Sequence, residues 1–249
     1  MIRFLTLLCL LLFPCSLSSF AKMPAYSSQA IIGIADDWGS TGVTLSLVEK
    51  NKQGQWQQVL GTYPARLGRA GLIWGLGLNA TPRGAKTKNE GDGKSPAGIF
   101  HINRLFLTMG QDPKRASNFP TIRVTPADLW VSDFKTPQLY NKHLRLDHPA
   151  SSAWERKEMM RQNDHAHSLK LEICHNSGDV AGRPIVGKGS SIFFHIWRRN
   201  GQAVTAGCTA MDEQVLKAFI RSLKPEKHPV YILLPRKEYI KYRQAWQLP

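Results

Sequence analysis

The chain has 249 residues, 42% of them hydrophobic and 20% charged, and 33 Lys+Arg against 18 Asp+Glu give a net charge of +15. That length and apolar content suit one embellished domain with a substantial core and exclude a disordered chain. The basic excess points to an anionic partner, but the basic residues are scattered. No helix-turn-helix, Walker loop, GxGxxG or HExxH pattern occurs, so a nucleic-acid, nucleotide or metalloprotease reading has no support.

Met1 to Ala21 has the three parts of a secretory signal peptide: Arg3, an apolar run Phe4–Phe13, and the small-x-small site Ser19-Phe20-Ala21. No later apolar run approaches membrane-spanning length, so residues 22–249 are expected to form a single soluble domain with long polar loops, exported most simply to a bacterial periplasm. Next, Val43, Leu45 and Leu47 alternate with polar residues, and Asn51-Lys52-Gln53-Gly54 leads into Trp56–Leu60, which predicts a hairpin. Residues 79–98 form a long Gly/Pro/Asn/Lys-rich loop ahead of a strand at Ile99–Asn103, and residues 107–120 and 132–150 read as irregular connections. Ser152-x-x-Glu155 resembles a capping box opening a helix to Arg161. Leu169, Leu171 and Ile173 alternate as a half-buried strand, and Ser190–Trp197 is apolar on both faces, as in a central strand. Asp212 caps a helix over 213–223, and Val230–Leu234 is a last buried strand. The expected class is mainly β with one or two packed α-helices.

The chemistry concentrates between residues 190 and 211. Asn200-Gly201 predicts a two-residue type I′ turn, because that turn needs φ > 0 twice. The resulting antiparallel register sets His195 opposite Ala206 and Cys208 diagonal to His195 on one face, roughly 7–8 Å away at Cα. Thr205 then lies on the other face, supporting the turn. A thiol beside an imidazole is a standard route to a nucleophile at neutral pH. Amides at Gly207, Cys208 and Thr209 would face a developing oxyanion. Three other readings compete: an apolar-strand histidine with an inert cysteine, a Cys174–Cys208 disulfide, and a zinc site from Cys174, His175, His195 and Cys208 that lacks the usual close ligand spacing.

At these residues the sequence resembles a known family. His195, Thr205, Gly207 and Cys208 are similar to the histidine and the (Ser/Thr)-x-Gly-Cys signature of YkuD-type L,D-transpeptidases, in the short-spaced branch with HIW…TAGC. Lys88-Asn89-Glu90-Gly91-Asp92-Gly93-Lys94-Ser95-Pro96-Ala97-Gly98 resembles that branch's KxEGDGxTPxG motif, and Asn176 stands where the family has Asn before a Gly-rich segment. The resemblance implies a YkuD-like β-sandwich and a cysteine acyl-transferase acting on peptidoglycan peptide stems, with no cofactor and no metal. Cys208 would be the nucleophile, His195 the base, and amides at Gly207 and Cys208 the oxyanion hole. The carbonyl of Gly189 or Ser190 would orient the histidine. Ala206 and Ala210 depart from the better-known pattern, so substrate contacts fall to Arg198 or Arg199, Trp197, Glu90, Asp92 and Asn176. The alternatives are an L,D-peptidase using the same Cys–His pair and a non-enzymatic, disulfide-closed wall-binding domain.

Overall fold

A computed structural model describes residues 23–249 apart from 109, 113–117 and 179–181; the expected leader at 1–21 lies outside the described residues. In chain order the strands are β1 Gln29–Ala35, β2 Gly42–Lys50, β3 Trp56–Arg66, β4 Leu72–Trp74, β5 Ser95–Leu107, β6 Thr121–Arg123, β7 Asp128–Trp130, β8 His143–Arg145, β9 Leu169–Ile173, β10 Phe193–Ile196, β11 Thr209–Met211 and β12 Val230–Pro235. The helices are α1 Ala153–Glu158, α2 Glu213–Ser222 and α3 Arg236–Tyr242.

Hydrogen bonding runs β12-β1-β2-β3-β11-β10-β9-β5, and β12 pairs with β5 as well. The sheet thus curls back on itself around the main core, the sheet-rich, sandwich-like architecture expected. The β2–β3 hairpin forms as its alternation predicts. The Asn51 side chain accepts the Gln53 and Gln55 amides, both at 2.9 Å, and Gly54 takes φ 77 at the turn. Asp212 caps α2 by accepting the Gln214 and Val215 amides, a cap typically worth about 1 kcal/mol. The helix then turns Leu216, Phe219 and Ile220 into the core beside Leu45, Ile99, Phe194 and Leu233. Each such side chain contributes about 1.5–3 kcal/mol by leaving water.

The chain between β6 and β9 crosses the outer face of the sheet and encloses a second, smaller core. Phe106, Val124, Trp130, Met160 and Phe193 form it, with Cys208 packed against its edge. Three of its rings meet edge to face: Trp130–Phe193 at 4.8 Å, Phe106–Trp130 at 5.7 Å and Phe106–Phe193 at 5.8 Å. The Ser152–Glu155 capping box is present, but α1 ends at Glu158 rather than Arg161. Met159 is extended and bridges to Leu129, and the Met160 amide donates to Asp128 O at 2.9 Å. Burial of Met160 in the second core therefore overrides helix continuation.

Two differences from expectation matter. There is a third helix, α3, whose polar sequence hides its role; Tyr242 stacks on the fully buried Trp246 at 4.3 Å. And β10 and β11 are parallel, with His195 level with Ala210 and Phe194 with Thr209, not the two arms of a hairpin. Asn200 and Gly201 do have positive φ, but so does Arg199, and the three form one turn of 3₁₀ helix. The twelve residues 197–208 are long enough for the crossover that parallel strands require. Thr205 is carried instead to a bridge with Gly68, and β11 fills the position between β10 and β3.

Candidate active site

β10 alternates strictly. Phe194 and Ile196 point into the main core, while Phe193 and His195 face the second core and the cavity beside it. Extending the parallel register by one residue sets Cys208 level with Phe193. The antiparallel register sets the same two residues level, so the expected shared face of Cys208 and His195 survives the change of strand direction. Both line one cavity of about 400 Å³, together with Ser190, Ser191, Thr205 and Gly207.

The His195 ring is 5% exposed, and its Nδ1 lies 2.8 Å from Ile196 O. That bond places the proton on Nδ1 and leaves the Nε2 lone pair as the basic atom. The sequence pointed to Gly189 or Ser190 for the orienting carbonyl. Ile196, the last residue of β10, takes that part, while Gly189 O accepts from Asn176 Nδ2 at 3.0 Å. Burial pushes the His195 pKa down to about 4, reinforced by His167 and by the charges of Arg198 and Lys170. The His167 ring stacks on His195 at 4.8 Å, and Asp164 anchors it at 2.7 Å. His195 is therefore a neutral base at pH 7.

Cys208 follows Gly207, whose φ of 148 suits glycine and whose Cα faces Lys94 O and Lys88 Nζ too closely for a side chain. The Cys208 thiol donates to Ser191 O at 3.4 Å, and no hydrogen bond joins it to the imidazole among the described residues. Burial pushes this thiol up; the Phe193 amide and the charges of Lys88 and Lys170 oppose that rise. Thr205 Oγ1 donates to Cys208 O at 2.7 Å and accepts the Gly207 amide at 3.0 Å. It braces the nucleophile turn as expected, but from the Gly68 register and while also lining the cavity. The Gly207 amide is thereby occupied, which removes it from the expected oxyanion pair.

Cys174 and Cys208 form no disulfide, which overturns the cross-linked reading. The zinc reading fails on geometry, because His175 already uses Nδ1 for the Leu76 amide (3.2 Å) and Nε2 for Lys188 O (2.9 Å). Among the described residues no group of three or more His, Cys, Asp and Glu converges as metal ligands would.

A profile of the YkuD family, described as the L,D-transpeptidase catalytic domain, matches residues 43–232. The chain belongs to this family. As a YkuD domain it carries an L,D-transpeptidase type of catalytic unit. No functionally curated protein matches it. Among solved structures, that of Bd1075 from Bdellovibrio bacteriovorus is similar over 92% of this chain at 15% identity, with a TM-score of 0.39; the match spans 57% of that chain.

The expected substrate contacts divide in this YkuD domain. Arg198 and Glu90 line the cavity, as does Ser190, the residue expected for backbone support. Arg198 is bound to Asp164 and His167, and Glu90 accepts the Tyr140 hydroxyl at 2.6 Å. Trp197 and Arg199 line a different cleft, so the expected Trp197 wall is absent. Asn176 is a loop clip: its amide donates to Ile185 O and Gly189 O and accepts the Ile185 amide. Asp92 is a turn former that accepts the Asn89 and Lys94 amides and the Lys88 ammonium at 2.6 Å. Three residues went unread in the sequence. Lys88 lines the cavity although buried, and Arg69 also lines it. Asn141 joins the outer excursion to the site, accepting the Ser191 amide and donating to His175 O and Asn176 O. Only Lys88 had a sequence signal, as the first residue of the 88–98 motif.

Proposed function

We propose that the chain is a secreted cysteine acyl-transferase that cross-links peptidoglycan peptide stems. The observation that carries this reading is the Cys208 thiol and the neutral His195 imidazole lining one cavity, in a chain of the YkuD family. In the first half-reaction His195 Nε2 takes the thiol proton and the thiolate attacks the stem carbonyl that follows an L-centre. The tetrahedral oxyanion forms beside the Cys208 amide. As the C–N bond breaks, the imidazolium returns its proton to the leaving D-residue amine, and a thioester remains on Cys208. In the second half-reaction His195 deprotonates an acceptor amine, which displaces the thiolate to form the new amide. Arg69, Lys88, Arg161 and Arg198 around the cavity, against Glu90, suit stems that bear carboxylates. The leader at 1–21 supports export, and periplasmic residence follows from it within this proposal. Water in place of the amine would make the same site an L,D-peptidase. Purified residues 22–249 incubated with disaccharide-tetrapeptide should yield cross-linked dimers by mass spectrometry. Trimmed tripeptide stems without dimers would assign the peptidase reaction instead, and unchanged stems would refute both.

A further inference from the structure

Resting on that reading of the site, Lys170 gains a part of its own. It lies in β9 directly opposite His195, and its side chain shares the face that carries the second core. The residue is 3% exposed, and its Nζ sits 5.6 Å from the centre of the Phe193 ring. Phe193 and Cys208 belong to the same small core and are level with one another. A buried ammonium is costly unless an anion faces it. Every carboxylate close to Lys170 is committed elsewhere. Asp164 is bound by His167, Arg198 and Arg161; Asp128 by His143 and Arg145; and Glu172 by Arg104 at 2.8 Å. Among the described residues no salt bridge involves Lys170. The acidic group left facing it is the Cys208 thiol.

We propose that Lys170 is a positioning residue for the nucleophile: its ammonium, roofed by Phe193, supplies positive charge that stabilises the Cys208 thiolate formed as His195 takes the thiol proton. A second buried lysine stands on the other side of Gly207. Lys88 Nζ is fixed by Asp92 and Lys94 O and lies 3.3 Å from where a Cβ at Gly207 would be. This arrangement answers a difficulty in the site. A thiolate–imidazolium pair needs a protonated histidine, and His195 is neutral at pH 7, with His167 stacked on it and Arg198 nearby. The lysines provide the cation, and His195 is left to move protons. The coupling runs both ways: burial lowers the Lys170 pKa to about 8, and the charge of Cys208 works against that fall.

The test measures the rate of iodoacetamide modification of Cys208 against pH, with the adduct located by peptide mass spectrometry so that Cys174 does not contribute. It needs no peptidoglycan, so an enzyme inactive on stems leaves it fully readable. Lys170→Met should raise the apparent thiol pKa by half a unit or more, an at least about threefold slower reaction at pH 7.5. Lys170→Arg, which keeps the charge, should follow the wild-type profile. A folded Lys170→Met whose profile superimposes on wild type overturns the proposal. So does a folded Lys170→Arg that loses reactivity as Met does, since shape rather than charge would then matter; this second variant decides the question should the Met variant fail to fold.

Discussion

Among the described residues two cysteine–histidine pairs stand close together, and they differ in what their polar atoms are left to do. At the end of β9, Cys174 and His175 are neighbours in sequence, and both are buried. His175 spends both ring nitrogens on the backbone of other loops, and burial pushes its pKa down to about 3. Across the site, His195 comes from β10 and Cys208 from the bend just ahead of β11. His195 spends one nitrogen on Ile196 O and keeps the other beside a cavity shared with the thiol. Burial and a depressed pKa are common to both histidines. What separates a loop anchor from a base is therefore an uncommitted nitrogen facing space that a substrate can enter.

The contrast can be broken most severely at the nucleophile. Cys208→Ala should abolish turnover of peptide stems while leaving the melting temperature nearly unchanged, since the thiol sits at the edge of the second core. Cys208→Ala protein that still turns over stems would place the nucleophile elsewhere. Next in size, His195→Ala should slow acylation by about 10²–10⁴-fold. The acid limb of the wild-type rate profile should fall near pH 4 rather than 6.5, because His195 works only when neutral and burial holds it neutral down to that range. A stem-turnover rate already halved at pH 6.5 would contradict the assigned environment.

His175→Ala should instead cost stability, about 2–3 kcal/mol, by leaving the Leu76 amide and the Lys188 carbonyl without their partner. Its rate per folded molecule should be preserved. The wild-type His175 also makes stability acid-sensitive. Below pH 6.5 the unfolded chain takes up a proton that the folded ring, with its pKa near 3, refuses, so stability falls as pH drops from 6.5 toward 3. Denaturant melts between pH 7 and 4 should show a shallower decline for His175→Ala than for wild type. The smallest effect belongs to Cys174→Ala, with most activity retained and about 1 kcal/mol of stability lost.

The same contrast shows what could be read in the sequence. The β2–β3 hairpin, the capped α2 and the Ser152 capping box are local patterns, written within a few residues and folded as written, and the strand at β9 forms too but is buried on both faces rather than half-buried. The pairing of His195 with Cys208 was legible for a subtler reason. Residue 208 falls level with residue 193 whether the strands run parallel or antiparallel, so a wrong topology preserved the right face. The Asn200-Gly201 turn misled because a strong two-residue signal does not say what lies beyond it. Here Gly68 and β3 capture the returning chain, a long-range contact with no local trace. The orienting carbonyl of Ile196, Asn141 and the buried Lys170 leave no local trace either. Asn141 and Lys170 act through partners tens of residues away, and Lys170 reads as an ordinary outward position in an alternating strand. The Ile196 carbonyl meets its neighbour His195 only through a ring orientation that the surrounding burial sets. Trp197 and Asn176 show the reverse, plausible contacts that the backbone turned to other work.

The central claim is that Cys208 carries the acyl group. Mixing the protein with a tetrapeptide stem, quenching in acid within the first turnover and digesting with protease should yield one modified peptide. It should contain Cys208 and bear the mass of the stem minus its terminal D-residue. An acyl adduct on any other residue, or turnover through the same interval with Cys208 unmodified, would contradict the account.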